Sequence, residues 1–351
     1  MNSRRGRSRL RASAIAGTAL ALALFAAARA DSEAPGSKTG ARPQAPLHDA
    51  LRGDDTLRDE GDPFDDRRAS LDETRRAVER GLRYLAVQQA AHQDGTFGKV
   101  EGTQHAPVAL AALGALAFMA QGSTPERGEF GAQVSRAVDY LLSKSEPSAG
   151  PTQGYIAVNR VDKLGMHGHG YATLALAQAY VMAPSSPRGA RIASALDSAV
   201  RIIERSQTFE GGWYYQPDAG VLHENSVTVI QLQALRAARN CGVRVDPEVV
   251  AKSIRYIERC QNEDGAFRYG LDPTEHPSIA MTASGLATLQ NAGRYAGPEI
   301  ERAVLQLQRA LISRDGELRH NPIDFRHYER LYVALALWTY SDQRLYRRWI
   351  D

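Results

Sequence analysis

Cysteine is almost absent from this sequence, which contains only Cys241 and Cys260 among 351 residues. Two cysteines do not make a disulfide framework, so a small fold held together by disulfides is excluded. Each ends a predicted helix, and about 13 residues of helix between them correspond to about 20 Å. A disulfide needs Cα atoms within about 7 Å. We therefore expect two free thiols.

The chain also lacks a large excess of positive or negative charge. The formal net charge is +3, and five arginines before residue 12 more than account for it: Arg4, Arg5, Arg7, Arg9 and Arg11. The rest of the chain is close to neutral and has no basic patch. Nucleic-acid binding is therefore not expected.

Long apolar segments are missing beyond the N-terminus. There the arginines precede an uncharged run, Ala12 to Ala28, which ends in Ala28-Arg29-Ala30. This order is typical of a secretory signal peptide, with cleavage after Ala30. A membrane anchor is the alternative, but the apolar run is short for a spanning helix. We expect an exported protein, periplasmic or extracellular, with no transmembrane segment in its mature form.

Residues 31–70 contain little that could form a core. They are rich in Pro, Gly, Asp and Arg, and Phe64 is their only aromatic residue. Such a stretch buries too little apolar surface to offset its ordering entropy, which predicts a flexible linker. Its acidic residues lie outside any helical pattern, so we interpret them as solvated: Asp54, Asp55, Asp62, Asp65 and Asp66. The predicted domains are a signal peptide (1–30), a linker (31–70) and one helical domain (71–351).

One pattern recurs five times in residues 71–351, at intervals of about 50–60 residues. An amphipathic helix is followed by a glycine turn with an aromatic residue, and then by a helix without charges. Seven charged residues lie between Asp72 and Leu85, and none between Ala106 and Ala120. An uncharged helix must be enclosed, whereas an amphipathic helix faces water along one stripe. The pattern predicts an all-α fold, an α/α toroid with inner and outer helices around a central cavity; an open solenoid is the alternative.

The turns carry a family resemblance. Gln207, Gly211 and Trp213 follow the Gln-x3-Gly-x-Trp repeat, and Gln261, Gly265 and Phe267 repeat it with Phe in place of Trp. The other three turns keep glycine and lose the spaced glutamine. The chain thus resembles the terpenoid cyclases and protein prenyltransferases, above all secreted bacterial proteins with prenyltransferase and squalene oxidase repeats. We interpret the repeated residues as structural, because they can close turns and satisfy helix ends.

The catalytic residues that the resemblance implies are missing. Terpenoid cyclases that protonate an alkene use an Asp-x-Asp-Asp motif, which does not occur here. Protein prenyltransferases bind zinc through Asp, Cys and His, and no cysteine lies at the start of a predicted inner helix. We therefore expect neither squalene cyclisation nor prenyl transfer.

Histidines recur near the starts of the predicted inner helices, where a closed toroid would place them on one rim together with carboxylates. This rim consists of His105, His169, His223, His276, His327, Glu224, Glu275, Asp324 and Glu329. Such residues could bind a divalent metal, the only cofactor that the sequence suggests, or transfer protons. The catalytic candidates are His223, Glu224, Asp324 and His327. The alternative is that polar residues merely satisfy free N–H groups at helix starts.

Two classes of function remain open. The first is binding of an apolar small molecule or a peptide in the cavity or at the rim. The second is an enzyme, a lyase, a hydrolase or a divergent cyclase or transferase, that uses the rim histidines and carboxylates. Aromatic residues and one methionine are expected to line the cavity: Met166, Tyr171, Trp213, Tyr214, Tyr215 and Tyr332.

Overall fold

A computed structural model describes residues 63–92, 94–97, 106–145, 150–158, 164–312, 326–340 and 346. Ten α-helices and no β-strand occur in these residues. The helices are α1 (Pro63–Ala90), α2 (Pro107–Ala120), α3 (Gly131–Ser143), α4 (Gly165–Met182), α5 (Pro187–Arg205), α6 (Asn225–Asn240), α7 (Pro247–Arg259), α8 (Ile279–Asn291), α9 (Pro298–Ile312) and α10 (Arg326–Thr339).

The helices form two layers. The even-numbered helices pack side by side in chain order, from α2 through α4, α6 and α8 to α10. Each even-numbered helix from α2 to α8 also packs against the odd-numbered helix that follows it. This arrangement confirms the predicted α/α toroid, with the less charged helices inside and the amphipathic helices outside.

Burial differs between the layers as the charge pattern predicts. Every residue of α8 from Ile279 to Gln290 is buried. In α7 only Ser253, Tyr256 and Ile257 are buried. An inner helix is therefore enclosed on all sides, whereas an outer helix covers the inner layer with one stripe.

The glycine turns pack directly on the outer layer. Gly211 and Gly265 both have φ +97°, in the left-handed region that favours glycine. A Cβ on Gly211 would lie 2.5 Å from the carbonyl oxygen of Lys252, and one on Gly265 would lie 2.4 Å from that of Arg302. Only glycine therefore lets each turn approach the backbone of the next outer helix this closely.

The repeated glutamines fasten these turns. Gln207 Nε2 donates to the carbonyl oxygens of Gly211 at 3.0 Å and Val249 at 2.9 Å. Gln261 Nε2 donates in the same way to Gly265 at 3.1 Å and Glu299 at 2.8 Å. Each glutamine thus joins its own turn to the first turn of the following outer helix.

The first repeat has an equivalent glutamine that the motif does not reveal. Gln89 Nε2 donates to the carbonyl oxygens of Gly95 at 3.2 Å and Gln133 at 3.0 Å. A Cβ on Gly95 would lie 2.5 Å from the carbonyl oxygen of Arg136. The turn lacks a glutamine at the motif spacing, as the sequence indicates, but Gln89, six residues before the glycine instead of four, makes the equivalent hydrogen bonds.

α1 begins at Pro63, so residues 63–70 of the predicted linker, with Asp65 and Asp66, lie in its first turns. Proline is favoured in the first turn of a helix. Residues 1–62, which include the predicted signal peptide, lie outside the described residues.

Both cysteines are free, as predicted. Cys241 directly follows α6 and Cys260 directly follows α7. Burial raises the pKa of the Cys241 thiol to about 11 and that of Cys260 to about 12. Thiolates are therefore scarce at neutral pH, and neither cysteine is a strong nucleophile.

Within the described part of the chain, no helix combines the length and the apolar character that a membrane span requires.

Candidate functional site

The described residues of the predicted rim differ in burial, and His223, Glu224 and Glu275 lie near Tyr256 on α7. His223 is half-buried, and its Nδ1 lies 2.9 Å from the hydroxyl of Tyr256 on α7, so its ring faces the outer layer. Glu275, His276 and His327 are exposed, and Glu329 is buried. His105 and Asp324 lie outside the described residues. Among the residues that the structure describes, no three His, Cys, Asp or Glu side chains are placed to hold a metal ion.

His169 is buried in the wall of the toroid and does not lie on the rim. Its Nδ1 accepts a hydrogen bond from the backbone N of Ile156 at 3.1 Å, and its Nε2 lies 3.1 Å from the carbonyl oxygen of Ala199. Thr228 and Thr282 fix the turns of the next two repeats similarly, since each hydroxyl accepts from a turn N–H. His169 is therefore a structural residue, and burial lowers its pKa to about 4.

The sequence analysis missed His167, which lies two residues earlier on α4. Two residues of helix correspond to a rotation of about 200°, so His167 and His169 point in nearly opposite directions. The ring of His167 stacks on that of Tyr171, with centroids 6.5 Å apart. Its Nε2 lies 3.0 Å from Ser226 Oγ at the start of α6. The four-residue spacing to Tyr171 was the one signal that could have indicated this orientation.

Glu224 completes this group, as the N-cap residue of α6. Its Oε2 accepts from Ser226 Oγ at 2.5 Å and from the backbone N of Val227 at 3.2 Å. Its own backbone N donates to the carbonyl oxygen of Trp213 at 2.8 Å, which fixes the loop before the helix. Burial raises the pKa of Glu224, although these hydrogen bonds to the carboxylate oppose the increase.

Tyr215 is the fourth member of the group and lies in the loop that precedes α6. Its ring centroid lies 5.7 Å from that of His167, and its hydroxyl is hydrogen-bonded to Glu224. Its carbonyl oxygen accepts from the backbone N of Met166 at 3.0 Å, so the loop is attached to α4. Burial raises the pKa of Tyr215. We call these four half-buried or nearly buried residues the mouth site: His167, Tyr215, Glu224 and Ser226.

Below the mouth site, two tyrosines from different inner helices interact. The side chains of Tyr171 on α4 and Tyr332 on α10 contact each other, and both residues are buried. Tyr332 also donates to Gln233 Oε1 at 3.4 Å. Both tyrosines were predicted to line the cavity, and both expose little of their surface.

Two residues predicted to line a cavity are core residues. Trp213 is fully buried, and its Nε1 donates to the carbonyl oxygen of Ile203 at 2.7 Å. Met166 is fully buried in the same apolar cluster. Tyr214 and Tyr215 remain half-buried at the mouth, with ring centroids 4.8 Å apart. The accessible wall of the site is therefore formed by tyrosines and His167.

An unpaired acceptor lies beside the mouth site. Asn225 is completely buried, and its Nδ2 donates to the carbonyl oxygen of Arg268 at 3.0 Å. Its Oδ1 is buried without a hydrogen-bond partner among the described residues. A buried acceptor in this state is costly to stability.

The hydrogen bonds of the mouth site form a short path along which a proton can move. Ser226 Oγ donates its one proton in a hydrogen bond to Glu224, and the same oxygen lies next to His167 Nε2. When Glu224 is protonated, it can donate to Ser226, and Ser226 can donate to a His167 tautomer with a free Nε2. Burial lowers the pKa of His167 to about 4, so the imidazole is neutral at pH 7. The donor and acceptor roles of Glu224, Ser226 and His167 can therefore reverse without formation of a positively charged imidazolium.

Comparison with known proteins agrees with this fold. Residues 218–346 match the family model of the prenyltransferase alpha-alpha toroid domain. The matched segment includes α6 to α10, and with it Glu224, Ser226 and Tyr332, while His167 and Tyr215 precede it. The sequence matches none of the curated proteins with which it was compared. The fold and the match together support a prenyltransferase- or cyclase-like α/α-toroid architecture.

Proposed function

We propose that this is an exported toroid protein that binds a small ligand at the mouth site. The ligand has an apolar body and a polar head that carries a hydroxyl group. The observation that carries the proposal is the hydrogen-bonded group His167–Ser226–Glu224 inside a wall of tyrosine rings. Aromatic walls with a few convergent polar groups are typical of small-molecule sites.

The hydrogen-bonding capacity of the site supports a hydroxyl head. Glu224 supplies an acceptor oxygen, Oε1, in addition to the one that Ser226 and Val227 use. A ligand hydroxyl can donate to this oxygen.

Calorimetric titration of the mature chain with farnesol tests the proposal, since farnesol combines an apolar body with one hydroxyl. We expect saturable binding that Ser226→Ala and Glu224→Gln each weaken at least tenfold. Ser278→Ala is the matched control, because Ser278 caps the next inner helix but is not part of the mouth site. Equal affinities in all four proteins, or no binding, would refute the proposal.

A second candidate function is acid–base catalysis by Glu224. The favouring observation is its raised pKa together with the proton path through Ser226 to His167. Carboxyl groups with raised pKa values are suited to proton transfer near neutral pH. In such a reaction Glu224 would accept a proton from a substrate carbon or hydroxyl and return it to the product. Substrate turnover that Glu224→Gln abolishes, with ligand binding retained, would establish this function.

We expect no turnover of squalene and no prenyl transfer from farnesyl diphosphate in the presence of zinc and magnesium. One carboxyl group bonded to a serine is too weak an acid to protonate an isolated alkene. Product analysis after incubation with each substrate checks this expectation, and a cyclised or prenylated product would contradict it.

A further inference from the structure

A carboxylate and an imidazole flank the hydroxyl of Ser226. Its Oγ donates to Glu224 Oε2 at 2.5 Å and lies 3.0 Å from His167 Nε2. Because the single proton of Ser226 is used in the bond to Glu224, the imidazole tautomer that completes the second bond has its proton on Nε2. The serine oxygen therefore has a base on one side and a neutral hydrogen-bond donor on the other.

Comparison of the repeats indicates that the fold does not require a hydroxyl at this position. In three successive inner helices, one side chain accepts from a turn N–H: His169, Thr228 and Thr282. These three positions are equivalent, and so are the positions two residues earlier: His167, Ser226 and Ala280. Since α8 has alanine there, the start of an inner helix forms without a serine at this position.

The cap of α6 does not depend on Ser226 either. Glu224 is the N-cap residue of α6 and accepts from the backbone N of Val227. At the equivalent position of α8, Ser278 is the N-cap residue and accepts from the backbone N of Met281. The bond from Ser226 Oγ to the capping carboxylate is thus an addition that the neighbouring repeat lacks.

We propose that Ser226 is a nucleophile that cleaves carboxylic esters of apolar alcohols, with Glu224 as its general base. A serine is activated when a base lies within hydrogen-bonding distance of its hydroxyl, as Glu224 does here. Ser226 is 9% exposed, and His167 and Glu224 are half-buried, so the group is open to the mouth of the toroid. The inference rests on the proposed function, because the alcohol that is released is the hydroxyl ligand proposed for the mouth site.

Each step of the reaction has a proton donor and acceptor within the group. Ser226 Oγ attacks the ester carbonyl carbon, and its proton moves to Glu224 Oε2. His167 Nε2–H donates to the carbonyl oxygen as negative charge develops there. Glu224 then gives the proton to the alcohol oxygen as the ester C–O bond breaks, which leaves the acyl group on Ser226. Water that Glu224 deprotonates attacks this acyl group, and the carboxylic acid leaves as Glu224 returns the proton to Ser226 Oγ.

Incubation of the mature chain with farnesyl acetate, followed by measurement of the released farnesol, tests this proposal. We expect release that saturates with ester concentration and falls as the pH decreases through the raised pKa of Glu224, because a protonated carboxyl group cannot accept the serine proton. Ser226→Ala and Glu224→Gln should each lower release at saturating ester by about 100-fold or more. Ser278→Ala is the matched control.

An alkyl fluorophosphonate tests the nucleophile without any substitution. We expect it to label Ser226 of the unmodified chain, with peptide mass spectrometry to locate the label. Labels absent from Ser226, or farnesol release that Ser226→Ala does not change, would overturn the proposal. Melting temperatures close to that of the unmodified chain verify that the variants fold.

The failure of this inference is distinguishable from the failure of the proposed function. Saturable farnesol binding without cleavage of farnesyl acetate would overturn the inference and leave the proposed function intact. Cleavage at Ser226 that excess farnesol does not inhibit would support the nucleophile and refute the binding of the alcohol.

Discussion

At the scale of single residues, His169 makes the stability of the protein depend on pH. Burial holds its pKa at about 4, compared with 6.5 for a free histidine. Between these values the unfolded chain binds a proton that the folded chain does not bind, so stability falls as the pH decreases from 6.5 to 4. At pH 5 this histidine alone removes about 2 kcal/mol of stability relative to pH 7.

His169→Gln tests this dependence, because glutamine can also accept from Ile156 and donate to Ala199. We expect the loss of unfolding free energy between pH 7 and pH 5 to decrease by about 2 kcal/mol in this variant. Urea unfolding at both pH values gives the measurement, and His276→Gln, at an exposed histidine, is the control. An unchanged pH dependence in His169→Gln would contradict the burial of a neutral imidazole.

Trp213 is the second residue that is expected to contribute strongly to the stability of the protein. It is fully buried and joins its turn to α5 through the bond to Ile203. Trp213→Ala should lower the free energy of unfolding by about 3–5 kcal/mol. Trp213→Phe should lower it less, since the next repeat has Phe267 in the equivalent turn. A loss below about 1 kcal/mol in Trp213→Ala would contradict the core position.

At the scale of elements, the glycine turns determine how closely the two layers approach. Gly265 and Gly293 both have positive φ, but a Cβ on Gly265 would lie 2.4 Å from backbone atoms of Arg302, whereas one on Gly293 would meet no atom within 4 Å. Gly293→Ala should therefore lower stability by about 1–2 kcal/mol through backbone strain alone. Gly265→Ala should lower it by roughly 3 kcal/mol or more, because α9 must also move. Equal losses in chemical denaturation would contradict the turn-to-helix contact.

The sequence predicted the elements better than the orientation of their side chains. The alternation of charged and uncharged helices was sufficient to predict the two layers. The function of Gln89 was missed, because a motif with fixed spacing does not recognise a turn that is two residues longer. The error at His169 has another cause: one residue of uncertainty in a helix rotates a side chain by about 100°. His167 and Ser226 could not be paired from sequence, since they are 59 residues apart.

At the scale of the whole molecule, residues far apart in the chain meet between the inner helices. Tyr171 on α4 and Tyr332 on α10 contact each other, which pattern analysis could not predict because it depends on long-range packing. The composition of residues 31–62 still predicts a linker outside the folded domain. Removal of these residues should change the melting temperature by less than about 2 °C. A larger decrease in calorimetry would show that they contribute to the fold.

The most direct test of the mouth site is the position at which a bound ligand can be cross-linked. A photoreactive farnesol analogue is irradiated with the mature chain, and the labelled peptides are identified by mass spectrometry. The account predicts labels near His167 and Tyr171 and on Tyr214 and Tyr215, which an excess of unmodified farnesol prevents. Labels confined to the outer helices, or labels that excess farnesol does not reduce, would contradict it.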